Sequence, residues 1–173
     1  MHYSNLLSAA KVLIIFTLST CTMPKKYTIK KIDGELIING IIKKEVLMNT
    51  KNYPWFNKVY NAYLPEPKYI KMLQPLAKEL KVLIIAGSWC GDTKRELPVF
   101  YKVADQIELN SDQVELIMVD KNKKCNVFNI SILQVSNIPT FIIYINGKEK
   151  GRIIESTTVN MEHDMAEILQ IIR

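Results

Sequence analysis

The run KVLIIAGS, Lys81 to Ser88, leads directly into Trp89-Cys90-Gly91 and then into apolar residues at helical spacing: Leu97, Phe100, Val103, Ala104 and Ile107. An uninterrupted apolar run of this length has no polar face to turn to water, so it reads as a strand buried on both sides of a sheet. The change of period immediately behind it predicts a helix from Asp92 to about Leu109. A second apolar run, VELIMVD from Val114 to Asp120, completes a strand-helix-strand unit. A loop follows, then a short helical or irregular piece to Val135. NIPTFIIYING, a turn at Asn146-Gly147 and KGRIIE read as a terminal hairpin. Asn160 can cap a last helix whose apolar face is Met161, Met165, Ile168 and Ile172. The predicted class is α/β, a central mixed sheet with helices on both faces.

The amino-terminal half is patterned differently. Between Pro24 and Asn49, β-prone segments alternate with Asp33-Gly34 and Asn39-Gly40, both strong hairpin signals. This reads as a small meander or as strands added to the main sheet. From Asn52 to Leu73, Trp55, Phe56, Tyr60 and Tyr63 recur at spacings near three and four, predicting an aromatic-faced helix interrupted around Pro65 and Pro67. Core packing accounts for such a stripe, and a groove beside a functional edge is the sharper alternative. A chain of 173 residues, 48% apolar, can bury one ordinary core.

Residues 1–20 depart from the globular pattern. A short, weakly basic start, the apolar run Val12 to Leu18 and then Leu18-Ser19-Thr20-Cys21 have the outline of a secretory leader. The last four residues resemble the bacterial lipobox, with Cys21 as the lipidated residue. The expected organisation is a leader over 1–20, a β-rich extension over 21–50 and the main domain over 51–173. This places the protein in the cell envelope, on the periplasmic or extracytoplasmic face, anchored through a lipidated Cys21. The alternative is a cytoplasmic protein with a frayed apolar start.

The net charge of +6 is spread over lysine pairs such as Lys25-Lys26 and Lys43-Lys44, without the dense basic stripe of a nucleic-acid binder. The cysteines, Cys21, Cys90 and Cys125, are too few for a disulfide framework and lack zinc-ligand spacing. His2 and His163 are far from all of them in sequence. No metal and no cofactor are expected.

The chemistry therefore converges on Cys90. At the first turn of a helix it sits where unpaired N–H groups and the positive end of the dipole favour a thiolate. Lys94 and Arg95 would add to that, and Asp92 would oppose it. Otherwise Lys94, Arg95 and Glu96 read as solvated helix surface.

Four features together resemble the thioredoxin family over about Val82 to Arg173. They are Trp89-Cys90-Gly91 at a strand-to-helix junction, Pro98 inside the helix, Ile138-Pro139-Thr140 as a cis-proline motif, and the closing hairpin and helix. The segments WCGD, KRE.P and GRIIE are further similar to a bacterial subgroup of secreted or lipid-anchored members. The resemblance implies a thioredoxin-like fold with a short amino-terminal β-rich extension. It makes Cys90 the nucleophile, and makes Trp89, Gly91, Ile138, Pro139 and Thr140 the substrate-binding surface. Trp89 would shield the sulfur or pack in the core. Thr93 falls where the family's resolving cysteine stands. Its hydroxyl can donate to the Cys90 thiolate but cannot attack a mixed disulfide. Ile84 falls where the family keeps a buried acid.

Cys125 follows a strand expected to lie parallel to the one preceding Cys90, so the two thiols could face one another at one sheet edge. A disulfide would need their Cα atoms within about 7 Å. Otherwise Cys125 is a small loop residue. Two functions are in play. One is a monothiol exchange protein of isomerase or mixed-disulfide type, acting on protein or small-molecule thiols and disulfides. The other is a redox-inactive peptide-binding or chaperone module. Peroxide reduction lacks the spacing it would need.

Overall fold

The computed structural model describes residues 26–172. The leader expected over 1–20 and the lipidation candidate Cys21 lie outside the described residues. The first half contributes β1 (Tyr27–Ile32), β2 (Glu35–Ile42), α1 (Pro54–Ala62) and α2 (Pro67–Leu73). The second half contributes β3 (Leu80–Ala86), α3 (Gly91–Gln106), β4 (Val114–Met118), β5 (Thr140–Ile145), β6 (Lys148–Ile154) and α4 (Met161–Ile168).

The strands form one six-stranded sheet in the order β1-β2-β4-β3-β5-β6. β3 and β4 are parallel, as their connection through α3 requires, and every other pairing is antiparallel. The most apolar strand lies inside the sheet, with Ile84 opposite Leu116 on one side and Phe141 on the other. This is the mixed α/β architecture expected of the chain.

The amino-terminal hairpin joins that sheet. Asp33 and Gly34 both take positive φ (51° and 84°), the pair of left-handed residues a two-residue hairpin turn needs. The turn expected at Asn39-Gly40 does not form, and β2 runs straight through it. Gly40, at φ 124°, is where the backbone of Lys26 and Tyr27 comes so close that a Cβ would collide with it. A glycine in a strand marks such an approach as readily as a turn. The segment is therefore an addition of strands to the sheet.

The aromatic helix breaks as expected. Prolines stand at the first positions of both α1 and α2, where their missing N–H costs nothing. Phe56 is buried while Trp55, Tyr60 and Tyr63 pack partly against the same core. Asn160 caps α4, its side chain accepting from His163 N at 2.9 Å.

Where helices were expected on both faces, all four among the described residues pack on one. Phe56 from α1, Leu73 from α2, Phe100 from α3 and Met165 from α4 share a core with Val82, Ile84, Leu116 and Phe141. The opposite face presents Ile85, Ile117 and Ile142, covered by the segment between β4 and β5 through Val119, Ile130 and Ile138. That segment, rich in Lys and Asn, forms only one short 3-10 turn, Ile130–Leu133. It has too few apolar residues at helical spacing to fix a helix against the sheet.

Candidate functional site

β3 ends at Ala86 and α3 begins at Gly91, so three residues turn the chain before Cys90. Cys90 N donates to Gly87 O at 2.9 Å. With φ −77° and ψ 131°, Cys90 is the N-cap of α3, beside the unpaired N–H groups of the first turn. Its side chain is half-buried, and Sγ donates to the Ile138 carbonyl at 3.5 Å. The Ile138–Pro139 peptide is cis. The two motifs the sequence set forty-eight residues apart thus meet at one sulfur.

Gly87 permits this meeting. A Cβ there would lie 2.8 Å from the Trp89 indole nitrogen and 3.0 Å from Ile138 Cδ1, too close without displacement. Trp89 is held by its indole N–H, which donates to Val119 O at 3.2 Å at the end of β4, and it packs against the minor core. Gly91 is open, with nothing within 4 Å of a Cβ built on it. Ile138, Pro139 and Thr140 are all buried, so of this trio it is the Ile138 carbonyl that meets the sulfur. Thr140 Oγ1 turns inward and donates to Asn137 O at 2.6 Å.

Thr93 differs from its expected role. It is fully buried, and its hydroxyl oxygen accepts from Gly87 N at 3.3 Å. Among the described residues it makes no hydrogen bond to Cys90. Facing back into the turn, it holds the loop that carries Cys90. Ile84 is fully buried and apolar.

The charges around the site are committed to one another. Lys94, expected near the sulfur, pairs with Glu35 of the hairpin at 3.1 Å. Arg95 bridges Asp92 at 2.9 Å and Glu96 at 2.8 Å, and both carboxylates hold its guanidinium above its ordinary pKa. Glu96 is not solvated surface, being only 6% exposed. A charge this buried persists because it is paired.

Cys90 and Cys125 are both free thiols, both half-buried, and both pack against the minor core. The structure thus gathers them under one apolar cluster without a bond between them. Cys125 lines a groove of about 720 Å³ with Lys123, Val127, Phe128 and Val135.

Ser88 is the residue that sequence reasoning passed over. β2 pairs with β4 only through Gly40, Ile41 and Ile42. Beyond that point Ser88 takes over, with Oγ accepting from Ile38 N at 3.1 Å and donating to Leu36 O at 2.9 Å. One side chain thus continues the ladder and fastens the Cys90 loop to the hairpin. A lone serine behind an apolar run was the available signal, and its partners lie too far away in sequence to be guessed.

The thioredoxin family model matches residues 42–163. The chain is 29% identical over 91 residues to the thioredoxin of Mycoplasma genitalium, covering 51% of this chain and 83% of that one. It is 30% identical over 82 residues to the 16 kDa dynein light chain of the Chlamydomonas reinhardtii flagellar outer arm, covering 47% of this chain and 51% of that one. Among solved structures, Fasciola hepatica thioredoxin aligns at 22% identity over 60% of this chain and 89% of its own, with a TM-score of 0.38.

Proposed function

The chain belongs to the thioredoxin family, and on that premise we propose that it is a monothiol thiol-disulfide exchange protein with Cys90 as nucleophile. Family membership supports a thiol-disulfide redox role in general. The observation that carries the monothiol form is the filling of position 93 by a buried threonine turned towards Gly87 N, behind a half-exposed N-cap cysteine. In this reading the Cys90 thiolate attacks one sulfur of a disulfide, forming a mixed disulfide and expelling the other sulfur as a thiolate. A second thiol, from the target itself or from solution, then attacks the mixed disulfide and frees Cys90. Electrons balance within the exchange, which suits isomerisation or removal of thiol adducts. Ile138, whose carbonyl meets the sulfur, would face the incoming disulfide.

The experiment is trapping of a mixed disulfide with a scrambled disulfide-bonded protein, together with recovery of that protein's activity. Cys90→Ser is expected to reduce both to background, and Cys125→Ser to leave both near wild type. An active Cys90→Ser variant would overturn the reading. Equal loss in both variants would make Cys125 a displaced resolving thiol.

A second reading has one observation in its favour. The groove at Cys125 is lined by the apolar Val127, Phe128, Ile130 and Val135, with Val127 exposed, a surface suited to an extended peptide without any redox step. Peptide binding unaffected by Cys90→Ser would favour it. The place of action we propose is the cell envelope, on the Val12 to Leu18 run and the following Cys21. Mass spectrometry of the mature amino terminus tests for a diacylglyceryl group on Cys21.

A further inference from the structure

β2 is fastened to two loops, and the second of them carries Cys125. The Asn39 side chain donates from Nδ2 to Lys124 O and accepts at Oδ1 from Asn126 N, each at 2.8 Å. Cys125 is the residue between those two groups. One amide therefore grips the main chain on both sides of the thiol. The loop in front is closed on itself as well. Lys124 O also accepts from Asp120 N at 3.0 Å, and Asp120 Oδ1 accepts from Asn122 N and Lys124 N, both at 2.9 Å. Asp120 thus shapes the loop, and Asn39 ties the finished loop to β2.

The two thiols are anchored to opposite sides of the middle of the sheet. Cys125 is tied to β2, while Cys90 Sγ is directed at the Ile138 carbonyl, at the entry to β5. In the order β1-β2-β4-β3-β5-β6 these two strands stand three spacings apart, about 14 Å in all. Both thiols nevertheless border the same minor core of Ile85, Ile117 and Ile142, and no bond joins them. A shared apolar cluster would let a loose loop carry one thiol towards the other. The attachment to β2 opposes that movement.

We infer that Asn39 is a positioning residue that keeps Cys125 out of reach of Cys90, so that exchange at Cys90 stays monothiol; the assignment rests on the exchange reading. With the clamp released, the Cys125 thiolate attacks the Cys90 sulfur of a mixed disulfide with RS. A Cys90–Cys125 bond forms as the Cys90–SR bond breaks, and RS⁻ leaves with the electron pair, so the step needs no oxidant. With the clamp in place, that attack falls to a thiol of the target or of the solution.

The test uses the full chain and 2-hydroxyethyl disulfide, a small neutral disulfide, with the products mapped by mass spectrometry. Asn39→Leu keeps the size of the side chain and removes both hydrogen bonds, and Asn39→Asp keeps the acceptor alone. Wild type is expected to hold the Cys90 adduct. Asn39→Leu should convert it to the Cys90–Cys125 disulfide at least about tenfold faster, with Asn39→Asp between them, because a freed neighbouring thiol acts at high effective concentration. Adding Cys125→Ser should preserve the adduct in every variant. Phe100→Ala, which loosens the helical face, should behave as wild type. The assignment is overturned if Asn39→Leu and Asn39→Asp hold the adduct as long as wild type does, or if Phe100→Ala closes the bond as fast as Asn39→Leu. If wild type forms no Cys90 adduct, the exchange reading falls, and diamide, which oxidises two thiols to a disulfide as its own N=N bond is reduced, decides the clamp separately. Faster Cys90–Cys125 closure in the Asn39 variants than in wild type then sustains it, and equal closure removes it.

Discussion

The two faces of the sheet are built to different standards. One carries the four helices of the described residues and buries Phe56, Phe100 and Phe141 almost completely. The other rests under one irregular segment and a minor core of isoleucines and a valine, with Val127 and Ile132 left 47% and 68% exposed above it. Cys90 stands at their junction. Its backbone belongs to α3 on the thick face, and the carbonyl that meets its sulfur belongs to Ile138 on the thin one. Regions with few buried contacts open locally at lower free energy than a packed core. The sulfur therefore has one firm wall, which fixes its backbone, and one yielding wall; in the exchange reading proposed above, the yielding wall would admit disulfides of different shape.

The largest test of this contrast is a matched pair of core truncations. Phe100→Ala is expected to lower unfolding free energy by about 3–5 kcal/mol, and Ile130→Ala by about 2 kcal/mol. Urea denaturation measures both, and equal losses would show that the two faces carry similar weight. Ile130→Ala should also expose Cys125 to alkylation, an effect Phe100→Ala should not share at equal destabilisation.

A smaller effect is expected where the hairpin is fastened. Ser88→Ala leaves Ile38 N–H and Leu36 C=O without their partner, at a cost of about 2 kcal/mol. Alkylation of Cys90 should change with it, because the loop loses its tether. Unaltered Cys90 kinetics in a destabilised Ser88→Ala protein would mean that the hairpin supports the sheet and not the site.

The smallest effect is alkaline. Burial and then the hydrogen bond to Asp105 (2.6 Å) push the Tyr60 phenol up to about 12, and burial likewise raises Tyr63 and Tyr101 on the same face. A phenol that binds its proton more tightly when folded stabilises the fold fully below its unfolded value near 10. That contribution is lost as pH rises from about 10 through about 12. Stability should therefore fall between about pH 10 and 12, and Tyr60→Phe should flatten the fall. Tyr144, packed on the thin face, is raised as well by burial. If Tyr144→Phe flattened the fall as much, the alkaline response would belong to neither face in particular.

Much of this could be read from residue patterns, because the signals were local. The apolar runs around Ile84, Leu116 and Ile142 had nowhere to go but a sheet interior, and Asp33-Gly34 and Asn146-Gly147 turn as their chemistry dictates. Cys90 at a helix start, opposite Ile138-Pro139, was legible from motif order. What escaped was tertiary. Gly40 marks a close approach of backbones where a turn was expected, Glu96 is buried with Arg95, and Thr93 faces Gly87 N instead of the sulfur. The hollow lined by Lys31, Tyr53 and Ser88 joins residues from three segments, and no spacing along the chain announces such a meeting.

The tether through Ser88 also says something about time. Its partners stand 50 and 52 residues earlier, and long-range contacts form only after the intervening loop has closed. During synthesis the hairpin leaves the ribosome well before its neighbour β4, which arrives only after α3. The hairpin thus waits as a finished edge until β4 docks, and only then can Ser88 be clamped. Cys90 would take up its final setting among the last events of assembly, so an unfinished chain carries the thiol without Ile138 beside it.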